Sequence, residues 1–364
     1  MMGGRMYPRV VINLDALKAN LDKLNELCHS QSLTTAIVTK VFCADEKITE
    51  LIENSDADMF ADSRLENLEA IHTSKPKLLL RIGMRSEAKR IVQSCDISMQ
   101  SELSTVFELN QAAKKLGKMH KCVLMIDLGD LREGIFFKNR DEIIETARQI
   151  HACSNIELFG IGTNLTCYGG ILPDNENLGV LSELADSISN TLGIKLSMVS
   201  GGNSSTMTML SEKRVPAGIT NLRLGESFVL GNDTSTGDPM EGFATDSFIL
   251  EAEIVELKRK PSKPIGKCGP NAFGEYPVFE DKGEMVRAIC AVGRQDTDPD
   301  SLTPVDDNIS IVGSSSDHLI VDLTQAHRYN VGDVIRFTPG YGALLRMFTS
   351  RYVKRVYTSN QNKK

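Results

Sequence analysis

An excess of positive charge is missing from this chain. Its 364 residues carry 41 Lys and Arg against 48 Asp and Glu, a net charge of −7. A nucleic-acid binder usually shows a basic face and a high isoelectric point, so that class is disfavoured. Long apolar runs are missing too: none reaches the ~18 residues a membrane helix needs. The opening MMGGRMYPRVVINL has no apolar h-region, so no secretory signal is visible, and Met6 is read as a natural start behind a short leader. CxxC pairs are absent. The cysteines at 28, 43, 95, 122, 153, 167, 268 and 290 stand singly, which reads as reduced thiols in a cytoplasmic protein. Only six His accompany them, without ligand spacing, so no metal site is expected. What is present is a large apolar share, 41% of residues, which supports a substantial core.

From residue 34 the chain alternates short apolar runs with amphipathic stretches. The runs are TTAIVTK (34–40), DMFADS (58–63), KLLLRIG (77–83), DISMQS (96–101), KCVLMIDLGD (121–130), IELFGIGTNL (156–165), KLSMVSGG (195–202) and NLRLGESFVLG (221–231). Between them lies helix-type spacing, as in Leu103, Val106, Phe107, Asn110, Gln111 and in Leu178, Leu181, Leu184, Ala185, Ile188. Asp62 or Ser63 before Glu66, and Ser101 before Leu103, read as helix caps. Eight strand–helix units with near-continuous apolar strands predict an α/β fold, a closed (β/α)8 TIM-type barrel, over 15–235. An open doubly wound sheet is the rival. It usually carries a phosphate-binding glycine fingerprint, and Gly160-Ile161-Gly162 is only a bare GxG.

After Gly231 the texture changes. A turn-rich NDTSTGDPMEG (232–242) precedes strands such as FILEAEIVELK, RAICAVG, ISIVG, HLIVDLT and DVIRFT. A C-terminal all-β domain is therefore expected over 236–357, with a loose tail at 358–364. The N-terminal strand within 1–14 (RVVINL) is expected to pair with it.

In a parallel barrel, chemistry sits at the C-terminal strand ends. The first strand runs directly into Lys40. An ordinary strand-end lysine in water is one reading. The other is a Schiff-base lysine, a partly desolvated amine that attacks an aldehyde. Strand seven ends in SGGNSS (200–205), where backbone N–H groups and hydroxyls at a helix start suit a phosphate. Arg223 alternates with Leu222 and Leu224, so it points away from them, into the barrel. There it meets an anion or a ring nitrogen, or forms a buried salt bridge with Glu226. A lysine, a phosphate cup and an inward arginine together suit pyridoxal 5′-phosphate.

The chain resembles the alanine-racemase-like, fold-type III pyridoxal-phosphate enzymes over roughly residues 7–357. The stretches that carry the likeness are AIVTKVFCAD, MIDLGDLREG, GIGTNLTCYGG, VSGGNSS, NLRLGESFVLG, AVGRQDTD, GSSSDHLIVDL and GYGALLRMFTS. The resemblance implies an amino-acid racemase with a cofactor-binding barrel, a β-domain, and a homodimer whose two sites each borrow residues from the partner. It implies that Lys40 carries the cofactor and acts as one base. Ser204 with Asn203, and the backbone at Gly225 and Glu226, would hold the phosphate, with Tyr341 reaching it from the β-domain. Arg223 would face the pyridine nitrogen, and Arg132 would lie near substrate and cofactor.

Against the family pattern, a phosphate-binding tyrosine is replaced by Ala44, a carbamylated lysine by Met125 and a histidine beside the cofactor by Asn164. A later tyrosine of the β-domain is replaced by Arg294. The family's second base, also a tyrosine, maps near Cys268, so Cys268 is the positional candidate, followed by Asp317 and His318. A diamino-acid substrate needs a carboxylate for its distal ammonium; Asp130, Asp296 and Asp298 are the candidates. A lysine or alanine racemase, a basic amino-acid decarboxylase and a non-catalytic cofactor-binding protein are the alternatives.

Overall fold

The computed structural model describes residues 6–359. The expected leader at 1–5 and the tail residues 360–364 lie outside that range. The chain divides into two compact units. One is Ala16–Thr245; the other joins the chain up to Asp15 with everything from Asp246 onward.

The first unit is the closed parallel barrel. Its strands are β2 (Thr34–Val38), β3 (Met59–Asp62), β4 (Lys77–Leu79), β5 (Ile97–Gln100), β6 (His120–Asp127), β8 (Ile156–Gly162), β9 (Met198–Ser200) and β10 (Asn221–Leu224). A short β7 (Ile135–Phe136) pairs outside the ring on β6. Every pairing is parallel; β5 joins β6, and β10 returns to β2, so no edge is left open. Ala36, Val38, Met59, Ala61, Met99, Val123, Met125 and Met198 fill the interior as one apolar cluster. Met125 is fully buried there, so a charged lysine at this position would have no water and no partner.

The helices are α1 (Leu14–His29), which begins at the junction of the two units, α2 (Glu46–Glu53), α3 (Leu65–Ala70), α4 (Ala88–Ser94), α5 (Leu103–Leu116), α6 (Arg140–His151), α7 (Asn175–Leu192), α8 (Met207–Ser211) and α9 (Glu226–Leu230). Helix α7 buries Leu178, Leu181, Leu184, Ala185 and Ile188, the five positions of its apolar stripe. A capping box between Asp174 and Asn177 starts it. Helix α5 differs from its sequence reading. It buries Thr105, Val106, Leu109 and Ala113 and leaves Phe107 44% exposed, because the buried stripe is rotated by about one residue. Neither α3 nor α5 receives a side-chain cap from its N-cap residue. The run FVLG, read as a continuation of strand eight, is the helix α9.

The second unit is an antiparallel sheet with one parallel pair. Its strands are β1 (Arg9–Asn13), β11 (Phe248–Pro261), β12 (Glu284–Cys290), β13 (Leu302–Pro304), β14 (Ser310–Ser314), β15 (Leu319–Asp322), β16 (Val334–Pro339) and β17 (Lys354–Thr358). Strand β1 lies between β11, antiparallel, and β17, parallel. Val10 and Ile12 point into its core, in period-two alternation. The unit is not wholly β. GYGALLRMFTS forms α10 (Tyr341–Thr349), whose Ala343, Leu344, Met347 and Phe348 are buried at i, i+1, i+4, i+5 spacing. Phe348 meets Phe248 edge-on at 5.9 Å.

Candidate active site

Lys40 follows β2 and opens a single 3-10 turn, Lys40–Phe42. Cys43 and Ala44 then take left-handed φ angles of 49° and 50°, bending the chain sharply away from the strand. The turn is anchored just before the lysine. Thr39 Oγ1 donates to Asp62 Oδ2 at 2.5 Å and to the Ala61 carbonyl at 3.3 Å. Asp62 is fully buried at the end of β3, where it also accepts from Arg64 N and Asn67 Nδ2. Burial raises its carboxyl above the usual range, against the pull of those hydrogen bonds. Lys40 itself is half-buried, and its charge is felt at Glu226, which opens α9. Burial raises the Glu226 carboxyl; the lysine opposes that shift.

Arg223 sits on β10, 4% exposed, with Leu222 and Leu224 fully buried on the other side of the strand. Its Nη1 donates to Ser200 Oγ at 2.6 Å and its Nη2 to the Thr163 carbonyl at 2.6 Å. These acceptors are neutral, so the buried salt bridge with Glu226 that the sequence allowed is not what holds Arg223. Desolvation lowers its pKa to about 10, and it stays a cation at neutral pH. Asn164 lies between this guanidinium and that of Arg132. Its amide oxygen faces Arg223 Nη2 at 3.4 Å in one orientation and Arg132 Nη2 at 2.9 Å in the swapped one. Arg132 is exposed and forms a two-pronged pair with the adjacent Glu133. The turn that carries both depends on Gly134, at φ +119°. A Cβ there would come within 2.6 Å of Asp127 N.

Between β9 and β10 the Gly201–Ser205 loop opens on two glycines where a side chain would be crowded or strained. A Cβ on Gly201 would reach 2.5 Å from Ile219, and Gly202 has φ +110°. Asn203 organises the loop. Its Oδ1 accepts from Ser205 N at 2.8 Å, and its Nδ2 reaches Leu165 O, Asn164 Oδ1 and Cys167 Sγ. Ser204 is 3% exposed. The backbone N–H groups of Gly225 and Ser227 both converge on its Oγ, at 3.2 Å each, with Ser227 Oγ at 3.0 Å. The hydroxyls of Ser205 and Thr163 are buried and have no protein partner.

Lys40, Arg132, Asn203, Ser204, Arg223, Gly225 and Glu226 thus gather at the C-terminal strand ends of the barrel unit. Cys268, Asp317 and Tyr341 belong to the β-unit. Cys268 is exposed and donates to the Gly266 carbonyl at 3.7 Å. Asp317 is exposed and accepts from Ser316 Oγ. With His318, Asp296 and Tyr352 it borders an open cavity of about 660 Å³. Tyr341 is half-buried at the first position of α10. Two of the ammonium candidates are already engaged. Asp130, 1% exposed, accepts three backbone N–H groups, from Tyr168, Gly169 and Ile171, at 3.0 to 3.3 Å. Asp296, 8% exposed, accepts from Ser350 Oγ. Asp298 lies so close to Gly342 that a Cβ there would meet its Oδ2 at 2.9 Å. Sequence reading took Asp62 only as a helix cap and Ser200 only as part of the SGGNSS turn, and it did not single out Thr163 or Cys167. Only the closing of the barrel brings them beside Lys40 or Arg223.

A parallel barrel whose strand ends hold a lysine, a buried arginine and converging backbone N–H groups defines a site for an anionic group that reacts with an amine. The chain belongs to the alanine racemase family: the model of the alanine racemase N-terminal domain matches residues 12–232. It is 47% identical over 352 residues to an ornithine racemase of Acetoanaerobium sticklandii, covering 96% of this chain and 99% of that one. A lysine racemase of Thermotoga maritima is 35% identical over 355 residues, covering 97% and 99%. The fold is similar to that of the alanine racemase of Streptomyces coelicolor, at a TM-score of 0.74, 16% identity and coverage of 97% and 98%.

Proposed function

We propose that the protein is a pyridoxal 5′-phosphate-dependent racemase that interconverts L- and D-ornithine, acting as a homodimer in the cytoplasm. The observation that carries the reading is Arg223, a buried cation held by neutral oxygens at the strand ends that also carry Lys40. Ornithine as substrate is supported by the likeness to the Acetoanaerobium enzyme along nearly the whole chain.

The residues fit the cofactor. Two buried hydroxyls, Ser205 and Thr163, lack partners within the protein, and the backbone N–H groups of Gly225 and Ser227 converge on one oxygen, Ser204 Oγ, the kind of donor pair that suits a phosphate oxygen. Ser204, Ser205, Gly225 and Ser227 would hold the phosphate, with Asn203 shaping their loop. Arg223 would face the ring nitrogen, and Arg132 would bind the substrate carboxylate. Bound pyridoxal phosphate supplies the aldehyde and the electron-withdrawing ring that loosens the α-hydrogen.

Lys40 provides the amine on one side and moves the proton there at its Nζ. Thr39 and Asp62 fix the turn from which it projects. Arg223 does not give up its proton at neutral pH, so it would leave a ring nitrogen facing it unprotonated, which would restrain charge delocalisation and suppress transamination. Arg223, not an acidic side chain, is the residue β10 turns inward at this place, and Glu226 opens α9 instead, which disfavours the decarboxylase reading.

The purified protein is expected to be yellow, to lose its colour on borohydride reduction and to abolish the optical rotation of L-ornithine. Lys40→Ala should lower the rate by at least about 10²–10⁴-fold, the range of a single acid–base group. Full activity in Lys40→Ala, or release of CO₂ in place of racemisation, would overturn the reading.

A further inference from the structure

Racemisation needs proton transfer on two sides of the α-carbon, and Lys40 accounts for one. We propose that Cys167 is the second proton-transfer residue, an assignment that rests on the racemase reading above. Its place in the barrel supports this. Lys40 follows β2 and Cys167 follows β8. The two strands between them, β10 and β9, carry Arg223 and the Gly201–Ser205 loop. Lys40 and Cys167 therefore stand at the two ends of the stretch of barrel rim that carries Arg223 and that loop.

The polarity of the hydrogen bonds distinguishes Cys167 from Cys268. Cys268 donates its S–H to a carbonyl, so its sulfur acts as a donor. Cys167 instead faces donors. Asn203 Nδ2 lies 3.4 Å from its sulfur, and the Arg132 guanidinium interacts with the same atom. Arg223 also acts on it through its charge. A sulfur met by an amide and two guanidinium groups is placed as an acceptor, the role a proton-abstracting residue needs. The residue is exposed at the mouth yet held in place. Asp130 clamps the backbone N–H groups of Tyr168, Gly169 and Ile171 directly after it. Cys28, Cys95, Cys122 and Cys290 are buried, and burial raises their thiols to about 12 or beyond.

The proton balance closes. In one direction the Cys167 thiolate takes the α-proton and becomes a thiol, while the Lys40 ammonium delivers a proton to the opposite side. In the reverse direction the two exchange roles; after a net turnover in one direction the Cys167 thiol gives its proton to water and the Lys40 amine takes one from water, which restores the starting state.

The test is run on the holoenzyme in D₂O. Cys167→Ala is expected to lose racemisation by at least about 100-fold. One enantiomer of ornithine should still exchange its α-hydrogen for deuterium with retention, because Lys40 is intact. Cys153→Ser, remote from the site, serves as the control. Independently of turnover, peptide mass spectrometry at one neutral pH should show iodoacetamide modifying Cys167 faster than Cys268, and Arg132→Gln should slow that labelling. The assignment is overturned if Cys167→Ala racemises at the wild-type rate, if Cys268→Ala alone abolishes racemisation, or if Cys167→Ala stops exchange of both enantiomers equally. It is also overturned if Cys167 labels no faster than Cys268. A wild type that exchanges no α-hydrogen sinks the racemase reading itself, whatever the labelling rates.

Discussion

A buried arginine without a carboxylate partner is costly, and proteins keep such a group where something else needs its charge. Arg223 is that case. Its acceptors are Ser200 Oγ and the Thr163 carbonyl, both fully buried. Arg223→Gln leaves those oxygens with a weaker, shorter donor. A stability loss of about 1–3 kcal/mol is expected in denaturant titration. In the cofactor-loaded variant the share of turnovers ending in transamination should rise, read as accumulation of the pyridoxamine form. An unchanged product ratio would remove Arg223 from the ring nitrogen. The inward direction of Arg223 was legible, because strand alternation separates it from Leu222 and Leu224. Its partners were not, since Thr163 and Ser200 lie on other strands, 60 and 23 residues away in the chain.

At the scale of elements, the strands were visible as apolar runs, but their ends were not. The eighth run continues through Glu226-Ser227-Phe228-Val229-Leu230, which is apolar enough for a strand and yet forms α9. The turn at Gly225 decides this. Its would-be Cβ lies 3.0 Å from Val38 Cβ, so a side chain here would crowd β2 where the chain bends. Helix α10 escaped notice because a nine-residue helix inside a strand-rich segment offers little periodicity. Strand β1 is an element whose worth is set by position. It fills the gap between β11 and β17, pairing with both. A chain lacking Arg9–Asn13 loses two ladders and the buried Val10 and Ile12 together. Limited proteolysis should then cut the segment beyond Asp246 rapidly. A protease-resistant segment in that shortened chain would show that β1 is dispensable.

For the molecule as a whole, stability should depend on pH through a buried histidine. His120 is 1% exposed and bonded to Ser98 Oγ at 2.8 Å, and burial lowers its pKa from 6.5 to about 4. Between those values the unfolded chain binds a proton that the folded one refuses. Stability is therefore complete above pH 6.5 and declines as pH falls toward 4, by about 3 kcal/mol from this group alone. His120→Gln should flatten that part of the profile, measured by chemical denaturation at pH 7 and pH 4. An identical slope in both proteins would mean the histidine is already solvated in the native state.

Local pattern alone determined the barrel and the following sheet, because apolar runs of strand length separated by amphipathic stretches admit few packings. It also marked Lys40 and the Gly-Gly-Asn-Ser-Ser loop, whose chemistry is carried by neighbours in sequence. Closure of the ring decided the rest. Which residues surround Arg223, why Asp130 holds a loop rather than an ammonium ion, and which cysteine receives donors instead of giving one all depend on strands far apart in the chain. Those relations are distances in space, and no spacing along a single chain encodes them.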